Sequence, residues 1–264
     1  MTFREAQLRL CNCLRPVAGE DAPLEASLLL THIGISRGDE VTEEQWKVLS
    51  PLVLRRQEGE PLQYVLGEWM FYGLPFSVSP HVLIPRPDTE ILVEEALRFL
   101  EGRPKARVLD LCTGSGCIGL TIAKKTDAFV TLSDISDEAL SVARKNAKAL
   151  QTEVVILRSD LFSEIEGKFD LITCNPPYLT ASEMQHLDAS VRYEPALALD
   201  GGADGLDCYR RILASYQGYL NPNGLLLLEI GYEQETAVCA LFSGSRCRKD
   251  YGGRPRVVMV RNNA

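Results

Sequence analysis

Asn175-Pro176-Pro177-Tyr178 is the stretch whose residue types come closest to chemistry. An Asn side-chain oxygen and the carbonyl of the next residue can both accept hydrogen bonds from one planar NH2 group. Two consecutive prolines have a fixed φ and no N–H. They hold the chain open where it leaves a strand, so that a carbonyl is free for a ligand. The Tyr adds a flat face beside that carbonyl. Together the four residues suit a grip on a primary amide or an exocyclic amine. A plain Pro-Pro turn would use the same residues, and a motif this short does not separate the two.

A second group of candidates precedes it. Val108-Leu109-Asp110-Leu111-Cys112-Thr113-Gly114-Ser115-Gly116-Cys117 is an apolar run ending in a Gly-rich turn before a helix. Glycines there let backbone approach a ligand closely. The spacing is neither the dinucleotide G-x-G-x-x-G pattern nor a Walker loop, since no Lys-Ser/Thr follows. Asp134 stands 24 residues after Asp110, at the end of the next apolar run. An acid there can accept two hydrogen bonds from ribose hydroxyls. It can also cap the helix from about Asp137, as can Ser136. Ser159-Asp160-Leu161-Phe162 ends the third run. An acid and an aromatic in that place suit the amine and ring face of an adenine, or Phe162 packs in the core.

These candidates meet only if the runs are strands of one sheet. From Arg107 strand and helix patterns alternate, which predicts a parallel sheet with crossover helices. The strands are expected at 107–111, 129–133, 154–158, 169–174, 225–230 and 256–261, and helices at about 115–125, 137–150 and 205–220. Parallel strands end on one side, and a ligand sits beyond those ends where the strand order reverses. The Gly loop, Asp134, Asp160, Phe162 and Asn-Pro-Pro-Tyr then converge on one cleft. Ahead of this body, residues 1–66 read as helices. Leu8, Leu10, Cys13 and Leu14 fit one face of the first. Asp21 is a candidate N-cap with Pro23 in the first turn. Thr42 with Gln45 has the form of a capping box. Residues 67–82 read as a β-hairpin, turning near Gly73 and Pro75, that joins the helical domain 1–66 to an α/β domain 83–264. A further helix is expected from about Thr89 to Leu100.

The chain has 264 residues, 45% hydrophobic and 24% charged, ordinary for a globular protein. Its formal net charge of -8 weighs against bulk binding of a nucleic-acid backbone, which needs clustered cations. Arg246, Arg248, Lys249, Arg254 and Arg256 read as a solvated edge strand and turn. The eight cysteines form no CxxC pair and the three His are scattered, so no metal site is expected. Cys112, Cys117 and Cys174 read as small buried residues, and a reduced, cytoplasmic setting fits. The first residues carry no signal-peptide core, and no run reaches the roughly 18 apolar residues of a membrane span.

The Gly loop, the acid after the second strand and Asn-Pro-Pro-Tyr, in this order, resemble the class I S-adenosylmethionine-dependent methyltransferases that act on an amide or amine nitrogen. More narrowly, six stretches resemble the HemK/PrmC family, the release factor glutamine methyltransferases. They are Pro61-Leu-Gln-Tyr-Val-Leu-Gly-Glu, Phe71-Tyr-Gly, Ile84-Pro-Arg-Pro-Asp-Thr-Glu, Tyr193-Glu-Pro-Ala-Leu-Ala-Leu, Gly201-Gly-Ala-Asp-Gly and Asp250-Tyr-Gly-Gly-Arg-Pro-Arg. The resemblance spans nearly the whole chain. It implies a Rossmann-like, mostly parallel seven-stranded sheet preceded by a small helical bundle that docks the substrate. It implies S-adenosyl-L-methionine as cofactor and N5-methylation of the Gln in a Gly-Gly-Gln loop of class-1 peptide chain release factors. It implies a monomer with no nucleic-acid or membrane partner. By position, Asp110, Cys112, Thr113, Gly114, Ser115, Gly116, Asp134, Asp160 and Phe162 would contact the cofactor. Asn175 would bridge cofactor and substrate. Asn175, Pro176, Pro177 and Tyr178 would hold the Gln amide, with Asn175, Pro176 and Tyr178 catalytic. Cys112 departs from the family, where glycine is the usual residue.

An amide nitrogen is a poor nucleophile because its lone pair is delocalised into the carbonyl. Orientation is then the protein's main task, worth about 7–11 kcal/mol in favourable cases. The Asn175 oxygen and the Pro176 carbonyl would aim the nitrogen, Tyr178 would exclude water, and no general base is needed before transfer. Arg86 and Glu90 are read as ordering the cofactor cleft or as a surface ion pair. Glu194 is read as a brace for Asn-Pro-Pro-Tyr or a cap, and 181–193, with Met184 and His186, as a flap near the substrate. Adenine-N6 methylation of DNA or RNA, methylation of a ribosomal-protein glutamine and a silent binding module are the rival readings. The acidic charge opposes the first, and the intact cofactor loop with Asn175 opposes the last.

Overall fold

Two units make up the residues 1–262 that the computed structural model describes: Met1–Glu68 with Asp188–Tyr193, and Trp69–Leu187 with Glu194 onward. The first contains α1 (Phe3–Ala18), α2 (Ala22–His32), α3 (Glu43–Gln57) and α4 (Leu62–Leu66). α1 starts on a capping box of Thr2 with Glu5, and α3 on the expected one of Thr42 with Gln45. Each box satisfies backbone N–H groups that a helix start leaves unpaired. α1 buries Phe3, Ala6, Leu10, Cys11 and Leu14. Leu8, expected on this face, is 63% exposed because the stripe through 3, 6, 10 and 14 turns away from it. Asp21 does not cap α2 through its side chain. A 3-10 turn at Gly19–Asp21 leaves Asp21 already helical, without the extended backbone of an N-cap. Glu25 is buried and forked by Arg56 at 2.8 and 3.0 Å, the bidentate match that a buried carboxylate needs. The segment read as a flap is divided. Asp188–Tyr193 belongs to this unit, where the Tyr193 hydroxyl donates to the Glu58 carbonyl at 3.0 Å.

The second unit follows from the hairpin β1 (Glu68–Phe71) and β2 (Leu74–Ser77). Tyr72 (φ 50) and Gly73 (φ 73) make its turn, the left-handed pair whose twist suits a tight hairpin. Pro75, expected near the turn, lies within β2. Next come α5 (Glu90–Leu100), β3 (Arg107–Leu111), α6 (Cys117–Lys125), β4 (Phe129–Asp134), α7 (Asp137–Leu150), β5 (Val155–Arg158) and β6 (Phe169–Cys174). They are followed by α8 (Ala181–Gln185), α9 (Asp207–Leu213), α10 (Tyr216–Tyr219), β7 (Leu220–Glu229), α11 (Glu235–Leu241), β8 (Arg246–Lys249) and β9 (Pro255–Arg261). The helix expected over 205–220 is thus two, broken at Ala214 and Ser215.

The seven strands lie in the order β5-β4-β3-β6-β7-β9-β8. Every ladder from β5 to β7 is parallel, and β9 runs antiparallel to both β7 and β8. Side chains alternate across the sheet. Val108, Leu132, Leu171 and Leu227 pack on one face with residues of α5, α6 and α7. Leu109, Ile172, Leu226 and Val258 pack on the other with Tyr209, Ile212 and Phe242. The chain leaves β3 towards β4 on one side and returns through β6 on the other, so the crevice beyond the carboxyl ends of β3 and β6 is the switch point. One member of the basic cluster is not solvated: Arg256 is 6% exposed and pairs with Asp88 and Asp250 at 3.0 and 3.3 Å. No helix of the described residues is long and apolar enough to cross a membrane.

Candidate active site

The loop after β3 is tied to the end of β4. Thr113 N–H donates to the Ser133 carbonyl at 3.0 Å, and Gly114 N–H to Asp134 Oδ2 at 2.9 Å. Ser136 N–H donates to Asp134 Oδ1 at 3.0 Å. Ser136 Oγ itself caps α7, accepting from Ala139 N–H at 3.1 Å, so Asp134 is free of that duty. Each Asp134 oxygen keeps acceptor capacity beyond its backbone donor. Burial raises the Asp134 carboxyl above its ordinary range, and the backbone donors oppose that.

Beneath the loop, Asp110 is fully buried. It accepts from Thr113 Oγ1 at 2.5 Å, Thr173 Oγ1 at 2.7 Å and Gly119 N–H at 3.1 Å. Burial pushes it up to about 6 against the pull of these donors. Asp110 therefore holds the loop and does not line the cleft. A Cβ at Gly119 would stand 2.1 Å from Leu132 Cδ2, so only glycine lets α6 approach β4 here. Cys112 (φ 53), Gly114 (φ 55) and Gly116 (φ 82) are all left-handed. A side chain at the first of these costs about 1 kcal/mol, which is a physical reason to expect glycine there.

A cavity of about 400 Å³ lies over these strand ends. Of the expected residues, Cys112, Thr113, Gly114, Ser115, Asp134, Asp160, Asn175 and Pro177 line it. Asp110, Gly116, Phe162, Pro176 and Tyr178 do not. Phe162 is buried and stacks on Tyr219 with centroids 4.6 Å apart and planes 16° apart. Leu161, at φ 52, faces the cavity instead, and the turn it makes sends Phe162 into the core. Asp160 lines the cavity with its carboxylate paired to Arg211 at 2.7 Å. Pro176 is buried, and Tyr178 is half-buried against the core of the Tyr209 face.

The backbone after Asn-Pro-Pro-Tyr is held by a second strand-like segment. Leu179 N–H donates to the Leu199 carbonyl at 2.9 Å, and Gly201 N–H to the Leu179 carbonyl at 2.8 Å. A Cβ at Gly201 would lie 2.8 Å from Tyr178 Cα, and one at Gly205 would lie 2.4 Å from the Tyr178 carbonyl oxygen. Gly201 and Gly205 are therefore glycine because the Tyr178 backbone touches them. Gln234 completes the brace: its Nε2 donates to the carbonyls of Tyr178 and Gly205 at 3.0 and 3.2 Å, and its Oε1 accepts from Gly231 N–H at 3.0 Å. Sequence reading missed Gln234, since a lone Gln in a loop carries no signal. Arg86 pairs with Glu194, not with Glu90, whose carboxylate takes Tyr72 N–H at 2.8 Å. Glu194 is 6% exposed and also accepts from Ile84 N–H at 3.0 Å, so it fixes the segment whose Pro85 and Arg86 line the cavity.

An anchored acid, a backbone loop and apolar walls from Ile135 and Leu161 suit a nucleoside. Asn175 on the same wall adds an acceptor for an NH2 group. Residues 5–67 match the family model described as PrmC N-terminal domain, and residues 88–192 match Methyltransferase small domain. A release factor glutamine methyltransferase of Thermodesulfovibrio yellowstonii is 40% identical over 99% of this chain and 93% of its own length. One of Geobacter sulfurreducens is 43% identical over 83% of this chain and 78% of its own. Among solved structures, the fold is similar to that of the Thermus thermophilus 16S rRNA N2 G1207 methyltransferase in complex with AdoMet and guanosine. That likeness has a TM-score of 0.56 at 20% identity, over 74% of this chain and 49% of that one. Identity of this order over nearly the full length is decisive: the chain belongs to the release factor glutamine methyltransferase family.

Proposed function

We propose that this protein methylates the N5 side-chain amide of the Gln in the Gly-Gly-Gln loop of class-1 peptide chain release factors, with S-adenosyl-L-methionine as donor. The observation that carries this reading is that Asp134 and Asn175 line one cavity. That cavity belongs to a chain whose relatives of that name cover up to 99% of it.

The donor supplies a methyl group activated by its sulfonium. The residues present fit it: Asp134 keeps acceptor capacity for two ribose hydroxyls, Cys112 to Ser115 line the cavity, and Ile135 and Leu161 offer apolar faces to the base. Asn175 Oδ1, on the cavity wall, takes a hydrogen of the substrate amide, and the second acceptor expected from the sequence, the Pro176 carbonyl, belongs to a buried residue beside that wall. That fixes the nitrogen's direction, and the same acceptors stabilise positive charge developing on it. Tyr178, its hydroxyl pushed up to about 12 by burial, stays neutral and serves by packing. Cys112 and Cys174 are neutral as well, the first pushed up by its bond to the Cys174 thiol and the second raised by burial to about 11. No thiolate competes for the methyl group. The eight free cysteines fit a reducing cytoplasm.

The test is to incubate the protein with labelled donor and purified release factor, a Gly-Gly-Ala loop variant, or duplex DNA. Label is expected in the native factor alone. Label in DNA and none in the factor overturns the reading.

A further inference from the structure

β6 and β7 run in parallel register, Thr173 beside Leu227 and Cys174 beside Leu228. The next rung brings Asn175 beside Glu229, the last residue of β7. Glu229 is 2% exposed. A carboxylate at that depth is costly unless matched, and a leucine such as Leu228 would serve the fold. Hydrogen-bonding groups of Thr89 and Asn175 and the charge of Arg256 favour its ionised form, while burial and Asp88 oppose it. Tyr178, Tyr209 and Cys117 are near enough to feel its charge. The Tyr209 hydroxyl donates to the Glu229 backbone carbonyl at 2.8 Å and not to the carboxyl. Oε2 is buried and completes no well-formed hydrogen bond among the described residues.

An Asn side chain has two unlike edges, an NH2 that donates and an oxygen that accepts. A carboxylate only accepts, so an Asn that meets it turns the NH2 towards it. The planar amide then presents Oδ1 on its other edge, where the substrate NH2 needs an acceptor. With a neutral neighbour, nothing would choose between the two flips. We propose that Glu229 is a positioning residue whose carboxylate fixes the flip of Asn175, so that Oδ1 and not the NH2 meets the substrate amide. This rests on the glutamine-methylation reading above. Burial pushes the Glu229 carboxyl up to about 7, so that acid converts it to a donor and releases the flip near neutral pH.

Single-turnover methylation of the release factor is to be followed across neutral pH for the wild type, Glu229→Gln and Asp88→Asn. Equilibrium binding of S-adenosylmethionine is measured beside it. The Glu229 carboxyl is titrated by carbon NMR in the protein alone and in Asn175→Ala. The wild-type rate is expected to fall on the acid side with the carboxyl titration. Asp88→Asn removes a repelling charge and should move both midpoints to lower pH. Glu229→Gln should lose about 10- to 100-fold in rate, the scale of one charge-assisted hydrogen bond, and lose the acid limb while still binding the cofactor. Asn175→Ala should raise the carboxyl midpoint by removing a donor. A Glu229→Gln enzyme with wild-type rate and pH profile overturns the positioning role, as does an acid limb that Asp88→Asn leaves in place. Should Glu229→Gln not fold, the Asp88→Asn shift and the carbon titrations decide. A wild type that labels no factor at any pH overturns the methylation reading instead, and the Asn175→Ala titration still reports whether Asn175 meets the carboxyl.

Discussion

Gly114 N–H donates to Asp134 Oδ2 across 2.9 Å, which ties the loop after β3 to the acid that ends β4. Asp134→Ala removes both the ribose acceptor and the loop's anchor. Hydrogen bonds to a charged group contribute about 1.5–3 kcal/mol, so cofactor affinity should fall by at least about 10-fold. Calorimetric titration with S-adenosylmethionine checks this, and an unchanged Kd would remove Asp134 from the cofactor site.

Asn175→Ala should still fold, because Asn175 lines a cavity one residue beyond the last β6 strand residue, and its cost in urea should stay within about 1–3 kcal/mol, that of a donor lost to buried Glu229. Methyl transfer should fall by about 10²–10³, the usual loss for one preorganised group aimed at developing charge. An active Asn175→Ala enzyme would sink the proposed clamp.

The body of the fold was legible because short apolar runs such as Val108–Leu111 and Leu171–Cys174, alternating with helical patterns, mark parallel strands covered on both faces, and the structure has β3 at 107–111 and β6 at 169–174. The convergence of Asp134 and Asn175 followed from parallel strands ending on one side. Phe162 was not legible: one left-handed residue, Leu161, exchanges which side chain faces the cavity, and nothing in its type announces that φ. Gln234 and the Glu194–Arg86 pair act over long sequence separations through backbone groups, which carry no sequence pattern.

Gly201→Ala places a methyl group 2.8 Å from Tyr178 Cα and 2.9 Å from Gly205 Cα, both backbone atoms that no rotamer can move. The bridge between Leu179 and Asp200 must open to admit it. Overpacking of this kind costs about 1–3 kcal/mol. The loss should show twice, as a lower thermal midpoint and as a larger drop in methylation than in cofactor affinity.

Glu194→Ala leaves Ile84 N–H without an acceptor inside the fold and Arg86 without its partner. A buried donor left unsatisfied costs about 1–3 kcal/mol. Because Arg86 is 38% exposed, water recovers part of its charge, so the total should stay near the upper end of that range. Urea unfolding checks it. Glu194→Gln, which still offers one acceptor, should recover roughly half of that loss.

Glu229 also makes a prediction about stability. Its carboxyl is raised by burial from 4.5 to about 7. Between those values the folded protein holds a proton that the unfolded chain has released. The group's contribution is therefore fully present below the lower value and is lost as pH rises through the higher one, by about 3 kcal/mol at 1.36 kcal/mol per unit. Glu229→Gln cannot titrate, so unfolding free energies of wild type and variant, measured by urea at a series of pH values, should diverge in the variant's favour as pH rises. Asp110 carries a shift of the same sign, to about 6, but it is present in both proteins and cancels in the difference. Parallel curves would mean that Glu229 ionises without cost. The buried carboxylate behind Asn175 would then lack the acid limb required of it as a positioning residue.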